Sequence, residues 1–427
     1  MTSSFSTSSS FLELERQVSL QELQDQPQLT FNEPARPLRY VSIHNRQFRR
    51  PPAHFYVQTT REYYNHDHRI LCYPGAVFQG TVHIKLNEPL AAQHVKLIFK
   101  ASEKINYDAL GWSKKAKSQR LFAVRTILWG ASEAGHRPHN AWPVMEAGEH
   151  AFPFMCEMPL VNYPPSFRHY LVNVVFSLIA VIERPGQRPF QTEPYLIQYQ
   201  PVVETHRSKL PILYRDEARV TNQISARIAL PGLAYTITDA PIVIPLKFSL
   251  CNVKSKLPMA KVRVLLQQKI RITNGKSLRV KAATVHVAEH SFRSCKADTE
   301  SMTFRLRLQP EEITPNLTYS ERLKIEYTLI MTVKLRHGLL VTKRTLFEVP
   351  IWFGTLMSGA QPPVDLVNFT DDQVMHDSTL QTKPKFLRSP NLDEEYHLPP
   401  YDAIKPPEYA AATAHTMIAA PIPAASS

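Results

Sequence analysis

Two short clusters of proline and tyrosine stand close together near the end of the chain: Leu398-Pro399-Pro400-Tyr401 and Pro406-Pro407-Glu408-Tyr409. Consecutive prolines hold φ at roughly −65° and bias a segment to polyproline II before any partner arrives. Little ordering entropy is then lost when the segment docks in an aromatic groove, and the tyrosine supplies the anchor. WW domains read this pattern, and Leu398, Pro399, Tyr401, Pro406, Pro407 and Tyr409 are the residues they would read. A chain with 35 prolines and 17 tyrosines can produce one such motif by accident. A second, related motif eight residues away is harder to dismiss.

A different pattern fills the second half. Lys261/Arg263, Lys269/Arg271, Arg279/Lys281, Arg305/Arg307 and Lys334/Arg336 all place two cations at i and i+2 with apolar residues between or beside them. In a strand those positions share a face. Five strands are therefore expected to send cation pairs outward while Val262, Val264, Ile270, Ile272, Val280, Leu306 and Leu335 point inward. The resulting one or two positive sheet faces would suit anionic lipid headgroups or acidic segments of cargo proteins. A solvated antiparallel face that happens to use Lys and Arg is the plainer alternative. Nucleic acid is not expected as a partner, because the strands show no repeated exposed aromatics to stack on bases.

Enzyme chemistry finds little support. With only 12 glycines, the closest pairs lie five apart, at Gly75/Gly80, Gly130/Gly135 and Gly354/Gly359. That spacing excludes GxGxxG and GxSxG, and Thr81, His136 and Ala360 follow the pairs where a P-loop needs Lys. His66-Asp67-His68 offers at most two metal ligands, with neither HExxH nor paired cysteines to complete a set. Cys72, Cys156, Cys251 and Cys295 stand singly in or beside apolar runs and read as buried, reduced thiols of a cytosolic protein. Glu311-Glu312 and Glu394-Glu395 are adjacent and poorly placed for paired acid/base work. The expectation is a non-enzyme with no cofactor and no metal.

The elements that must carry these residues are strands. At 427 residues the chain has room for two or three domains. Runs at 76–86, 94–101, 121–129, 148–158, 172–183 and 194–203 alternate with a period near two between Pro/Gly/Asn breaks. A second series follows at 219–229, 243–252, 261–273, 278–290, 302–308, 320–335 and 339–353. Residues 11–25 could make one short helix, but none of these runs sustains a helical period, so the fold class is all-β, with two tandem β-sandwiches at 54–204 and 205–356. Residues 1–53 read as a disordered arm and 357–427 as a disordered tail without a core that carries both tyrosine motifs. Residues 205–353 hold 25 basic against 11 acidic residues, whereas 358–427 hold 4 against 9. The overall charge of +13 therefore belongs to the second domain. The first residues lack a signal peptide, and the longest apolar run, 170–182, is too short to cross a bilayer. Ser389-Pro390 lies just before the motifs, where a phosphate would deepen the tail's negative charge and favour its folding back onto the basic face.

Tyr73-Pro74-Gly75, Gly80-Thr81-Val82 and Glu88-Pro89-Leu90, then 148–154, Met158-Pro159-Leu160 and Pro164-Pro165-Ser166-Phe167, resemble in order and spacing the arrestin N-terminal domain. Ile228-Ala229-Leu230-Pro231 with Ala234-Tyr235, 243–246 and 261–267, and the closing 323–333 and Val349-Pro350-Ile351, resemble the arrestin C-terminal domain. A two-domain arrestin body followed by PPxY-type motifs is similar to the α-arrestins. That resemblance implies two immunoglobulin-like sandwiches and an adaptor that brings a WW-domain HECT-type ubiquitin ligase to membrane transporters or receptors. Cargo would then be ubiquitylated, internalised and sorted, by a cytoplasmic protein recruited peripherally to the plasma membrane and endosomes. Arg168-His169 and Asp239-Ala240 depart from the family's usual turn residues. The alternative is an arrestin-fold trafficking scaffold of the retromer-subunit kind that works without a ligase.

Overall fold

The computed structural model describes residues 38–42, 47–60, 70–112, 117–130, 141–184, 187–205, 213–221, 224–251, 260–274, 277–292, 299–337, 340–357, 359–369 and 382–387. Among these the regular elements are strands and two short 3-10 turns, with no longer helix.

The first sandwich opposes two main sheets. One runs β3 (Leu71–Cys72), β14 (Tyr195–Tyr199), β12 (Val172–Glu183), β6 (His94–Ile105) and β7 (Lys117–Gly130), with β11 (Phe167–Arg168) and β13 (Phe190–Gln191) added to β12. The other runs β2 (His54–Thr59), β4 (Val77–Leu86), β9 (Gly148–Glu157) and β25 (Lys385–Leu387). Strict alternation in β6 buries Val95, Leu97, Phe99 and Ala101 and leaves Lys100 and Lys104 in water. Phe99 meets Phe78 of β4 edge to face at 5.5 Å and Phe122 of β7 at 4.9 Å, tying sheet to sheet. A small side sheet joins β1 (Tyr40–Ser42), β8 (Ala141–Met145) and β5 (Leu90–Ala91), and Phe48 and Val41 pack on Trp142.

The second sandwich opposes a four-stranded sheet, β15 (Tyr214–Arg219), β16 (Ser225–Leu230), β18 (Ile242–Cys251) and β21 (Thr299–Leu308), to a five-stranded one. The latter runs β17 (Ala234–Thr236), β23 (Leu340–Gly354), β22 (Leu323–His337), β19 (Ala260–Asn274) and β20 (Ser277–Phe292). Asn316 is buried, with its Oδ1 accepting from the Phe353 amide at 2.7 Å, so its place in an Asn-Leu-Thr sequon is coincidental.

Three expectations need correction. Residues before 54 are partly folded, through β1 and the Phe48 contact. Tyr214–Arg219, ahead of the run expected to open the second series at 219, is the first strand of the second sandwich. The described parts of 357–427 pack on the first sandwich: β24 (Val367–Asn368) pairs with β10 (Val161–Asn162), β25 extends the β9 edge, and Phe369 is buried against Tyr163. These strands are two or three residues long, too short for alternation to show in sequence.

Candidate functional site

Register decides which of the ten cations act together. Lys261, Arg263, Lys269 and Arg271 alternate on β19 with buried Val262, Val264, Ile270 and Ile272, and face outward. On β22, Lys324, Glu326 and Lys334 share that outward side, and on β23 Glu348 and Lys343 do. Lys261 stands directly opposite Lys334, which stands directly opposite Lys343, so three lysines form a row across three adjacent strands. Arg336 continues the β22 series opposite Val341, but its side chain lies outside the described residues.

Carboxylates answer only part of this charge. Glu289 of β20, opposite Arg263, is bonded to Lys261 and lies 3.2 Å from Arg263 Nε. Glu326 lies 2.8 Å from Arg271 Nε. Neither Nε has a hydrogen-bond acceptor in line, so both arginine contacts are Coulombic rather than hydrogen bonded. The Lys261 hydrogen bond, aided by the charges of Lys261, Arg263 and Lys334 and opposed by partial burial, holds the Glu289 carboxyl below the ordinary carboxylate range.

The structure separates the remaining pairs. Arg279 and Lys281 face Ile272 and Ile270 across the β19–β20 ladder and so stand on the opposite side of the sheet from the other cations. The Arg279 guanidinium sits 6.0 Å from the Trp112 ring centre of the first sandwich. Val280, expected inside, faces out beside Arg271 and is 47% exposed. The cause is that β20 is an edge strand whose two sides both reach solvent there, so an i, i+2 pattern cannot tell inside from outside. Arg305 and Arg307 belong to the other sheet, on the outward side of β21 opposite Pro245 and Val243.

Sequence reasoning missed a further cationic face on the first sandwich. Lys100 and Lys104 of β6 share the outward side with Arg120 and Arg125 of β7. Arg120 and Arg125 are five apart and would face opposite ways on a regular strand. A bulge at Ala101/Ser102 shifts the ladder by one residue and brings them to one face. The cross-strand neighbours of Lys100 and Lys104 are Ala123, Ser177, Ser118 and Asn173, none of them acidic.

Between the sandwiches runs a crevice of about 780 Å³, lined by Phe167, Arg168 and His169 on one side and by Thr236, Gln268 and the turn Pro310–Glu312 on the other. His169 stacks on Phe167, and burial lowers its pKa. The Cys72 thiol is pushed up to about 12 by burial and Cys156 is raised by the same cause, so both stay protonated at neutral pH. Among the described residues no group of three or more His, Cys, Asp or Glu is placed to hold a metal, and no helix is long and apolar enough to cross a membrane. His66-Asp67-His68, Cys295, Glu394-Glu395, Ser389-Pro390 and both tyrosine motifs lie outside the described residues.

Residues 63–198 match the family model for the arrestin (or S-antigen) N-terminal domain. Arrestin domain-containing protein 4 of Mus musculus is 24% identical over 221 residues, covering 50% of this chain and 50% of that protein. Its Homo sapiens counterpart is 23% identical over 276 residues, covering 60% of this chain and 63% of that protein. The match thus spans about half to three-fifths of the length of these relatives. Residues 63–198 are thus similar to the arrestin N-terminal domain, and half or more of the chain is similar to arrestin domain-containing proteins, on a fold of two tandem β-sandwiches.

Proposed function

We propose that the chain is a catalytically inert trafficking adaptor whose two sandwiches engage a membrane protein while its tail recruits a WW-domain HECT-type ubiquitin ligase. The observation that carries the ligase half is the pair Leu398-Pro399-Pro400-Tyr401 and Pro406-Pro407-Glu408-Tyr409, placed after an arrestin-type body. The family match and the cationic sheet faces support the cargo half. Work at the plasma membrane and on endosomes, from the cytoplasm, follows from that role. Cargo would leave the surface once ubiquitylated.

The test is the affinity of a peptide covering residues 397–411 for a panel of WW domains, beside the same peptide with Tyr401→Ala and Tyr409→Ala. Binding in the micromolar range that the double substitution abolishes is the expected result. If no ligase WW domain binds, the arrestin body stands, and the reading moves to a scaffold of the retromer-subunit kind that needs no ligase.

A further inference from the structure

Ligase recruitment leaves one surface unexplained. Leu278, Val280 and Val287 stand in register on the outward side of β20, 51%, 47% and 39% exposed. Val341, 63% exposed, stands on the same side of the sheet at β23. The lysine row lies at one end of this face, and Lys269 with Arg271 at the other, about 33 Å away along β19. β20 closes the sheet with an edge that pairs with no other described strand. Aliphatic and cationic side chains, with Glu289, Glu326 and Glu348 among them, thus share the outward face of one sheet.

Two physical arguments choose the occupant. Like charges directly opposite one another destabilise a sheet, so the Lys343–Lys334–Lys261 row, partly answered by Glu289 at the Lys261 end, keeps an excess of positive charge that an anion would relieve. An acidic peptide laid on either cation cluster would satisfy that charge but leave the aliphatic edge in water. A bilayer surface takes both, its phosphates meeting the cations and its acyl boundary meeting leucine and valine. We infer that the outward face of β23, β22, β19 and β20 lies flat on an anionic phospholipid surface, with Lys261, Lys334 and Lys343 at the headgroups and the Leu278–Val280 edge at the acyl boundary. The inference rests on reading the basic face as a contact surface and is independent of the tail motifs.

The test is sedimentation of the full chain with vesicles of phosphatidylcholine alone and of phosphatidylcholine holding about one part in five phosphatidylserine. Lys334→Gln with Lys343→Gln is expected to weaken binding to the anionic vesicles about 25-fold, or about fivefold per cation. Leu278→Ser with Val280→Ser is expected to remove the fraction of binding that survives raised salt, since screening spares apolar contact. Should a double variant fail to fold, Lys343→Gln alone, on an exposed side chain, is expected to cost about fivefold. Equal binding to both vesicle types overturns the inference, as does wild-type binding by the lysine variant. Soluble polyglutamate that binds the chain as tightly as vesicles do, with the serine variant unaffected, overturns it in favour of an acidic protein. WW-domain binding, measured on the same preparations, is expected to be equal in all variants, so a failed lipid contact and a failed ligase reading show up separately.

Discussion

Glu289 is the carboxylate that limits the lysine row, because it occupies Lys261 and Arg263 together. Its lowered pKa means that the folded chain prefers the ionised form, so its contribution to stability is in place above the ordinary carboxylate range and is lost as pH falls through the lowered value. Glu289→Gln removes one negative charge and releases two cations at once. Binding to anionic vesicles is expected to rise by about fivefold, with little change in thermal stability, because exposed ion pairs contribute little. A fall in binding would show that Glu289 orders the cations rather than screening them. At this scale the sequence was informative where strands are regular: on β19 the four cations alternate with buried Val262, Val264, Ile270 and Ile272 and fall on the expected face. It was silent about Arg120 and Arg125, since no local signal marks the bulge that unites them.

Elements tell the same story in a different form. Long strands were legible in two ways: Val172–Glu183 as an apolar run buried on both sides over Phe176 to Ile182, and Ile242–Cys251 through one side buried along ten residues. The Pro- and Asp-rich stretch after 357 was not, because its folded pieces gain their burial from partners far away in sequence. Phe386 sits on β25 with its ring 6.5 Å from that of Phe154, and Lys385–Leu387 pairs with Met155, Cys156 and Glu157 of β9. A strand of three residues has too few ladder bonds to hold without that ring, whose burial is worth about 1.5 to 3 kcal/mol when complete. Phe386→Ser is therefore expected to detach β25 while the sandwich stays folded. Amide exchange should accelerate at residues 155–157, and trypsin should cut faster after Lys385. Unchanged exchange at 155–157 would mean that backbone pairing holds β25 without the aromatic contact.

At the scale of the whole molecule, the two sandwiches are clamped where residues 200–205 cross the exit of β23. Thr355 Oγ1 donates to the Pro201 carbonyl at 2.8 Å and accepts from the Val203 amide at 2.7 Å. Trp352 Nε1 donates to the Glu204 carbonyl at 2.7 Å, and Thr205 donates to the Leu356 carbonyl. From the first sandwich, Asn162 grips both the amide and the carbonyl of Val202, and Tyr319 of the second donates to the Tyr163 carbonyl at 2.8 Å. Crossing this closely demands a residue without a side chain. A Cβ on Gly354 would fall 2.7 Å from both the Thr205 Cα and its amide nitrogen, where backbone cannot yield as a flexible side chain would. Gly354→Ala should therefore push the 200–205 segment off β23, at a cost of about 1 to 3 kcal/mol. Because the clamp joins two sandwiches that each oppose their own pair of sheets, calorimetry should show more than a lower melting temperature. The transition is expected to broaden or split as the sandwiches unfold less cooperatively. A variant that melts like the wild type in one sharp step would mean that the crossing relaxes freely, and that the remaining contacts between the sandwiches set their coupling.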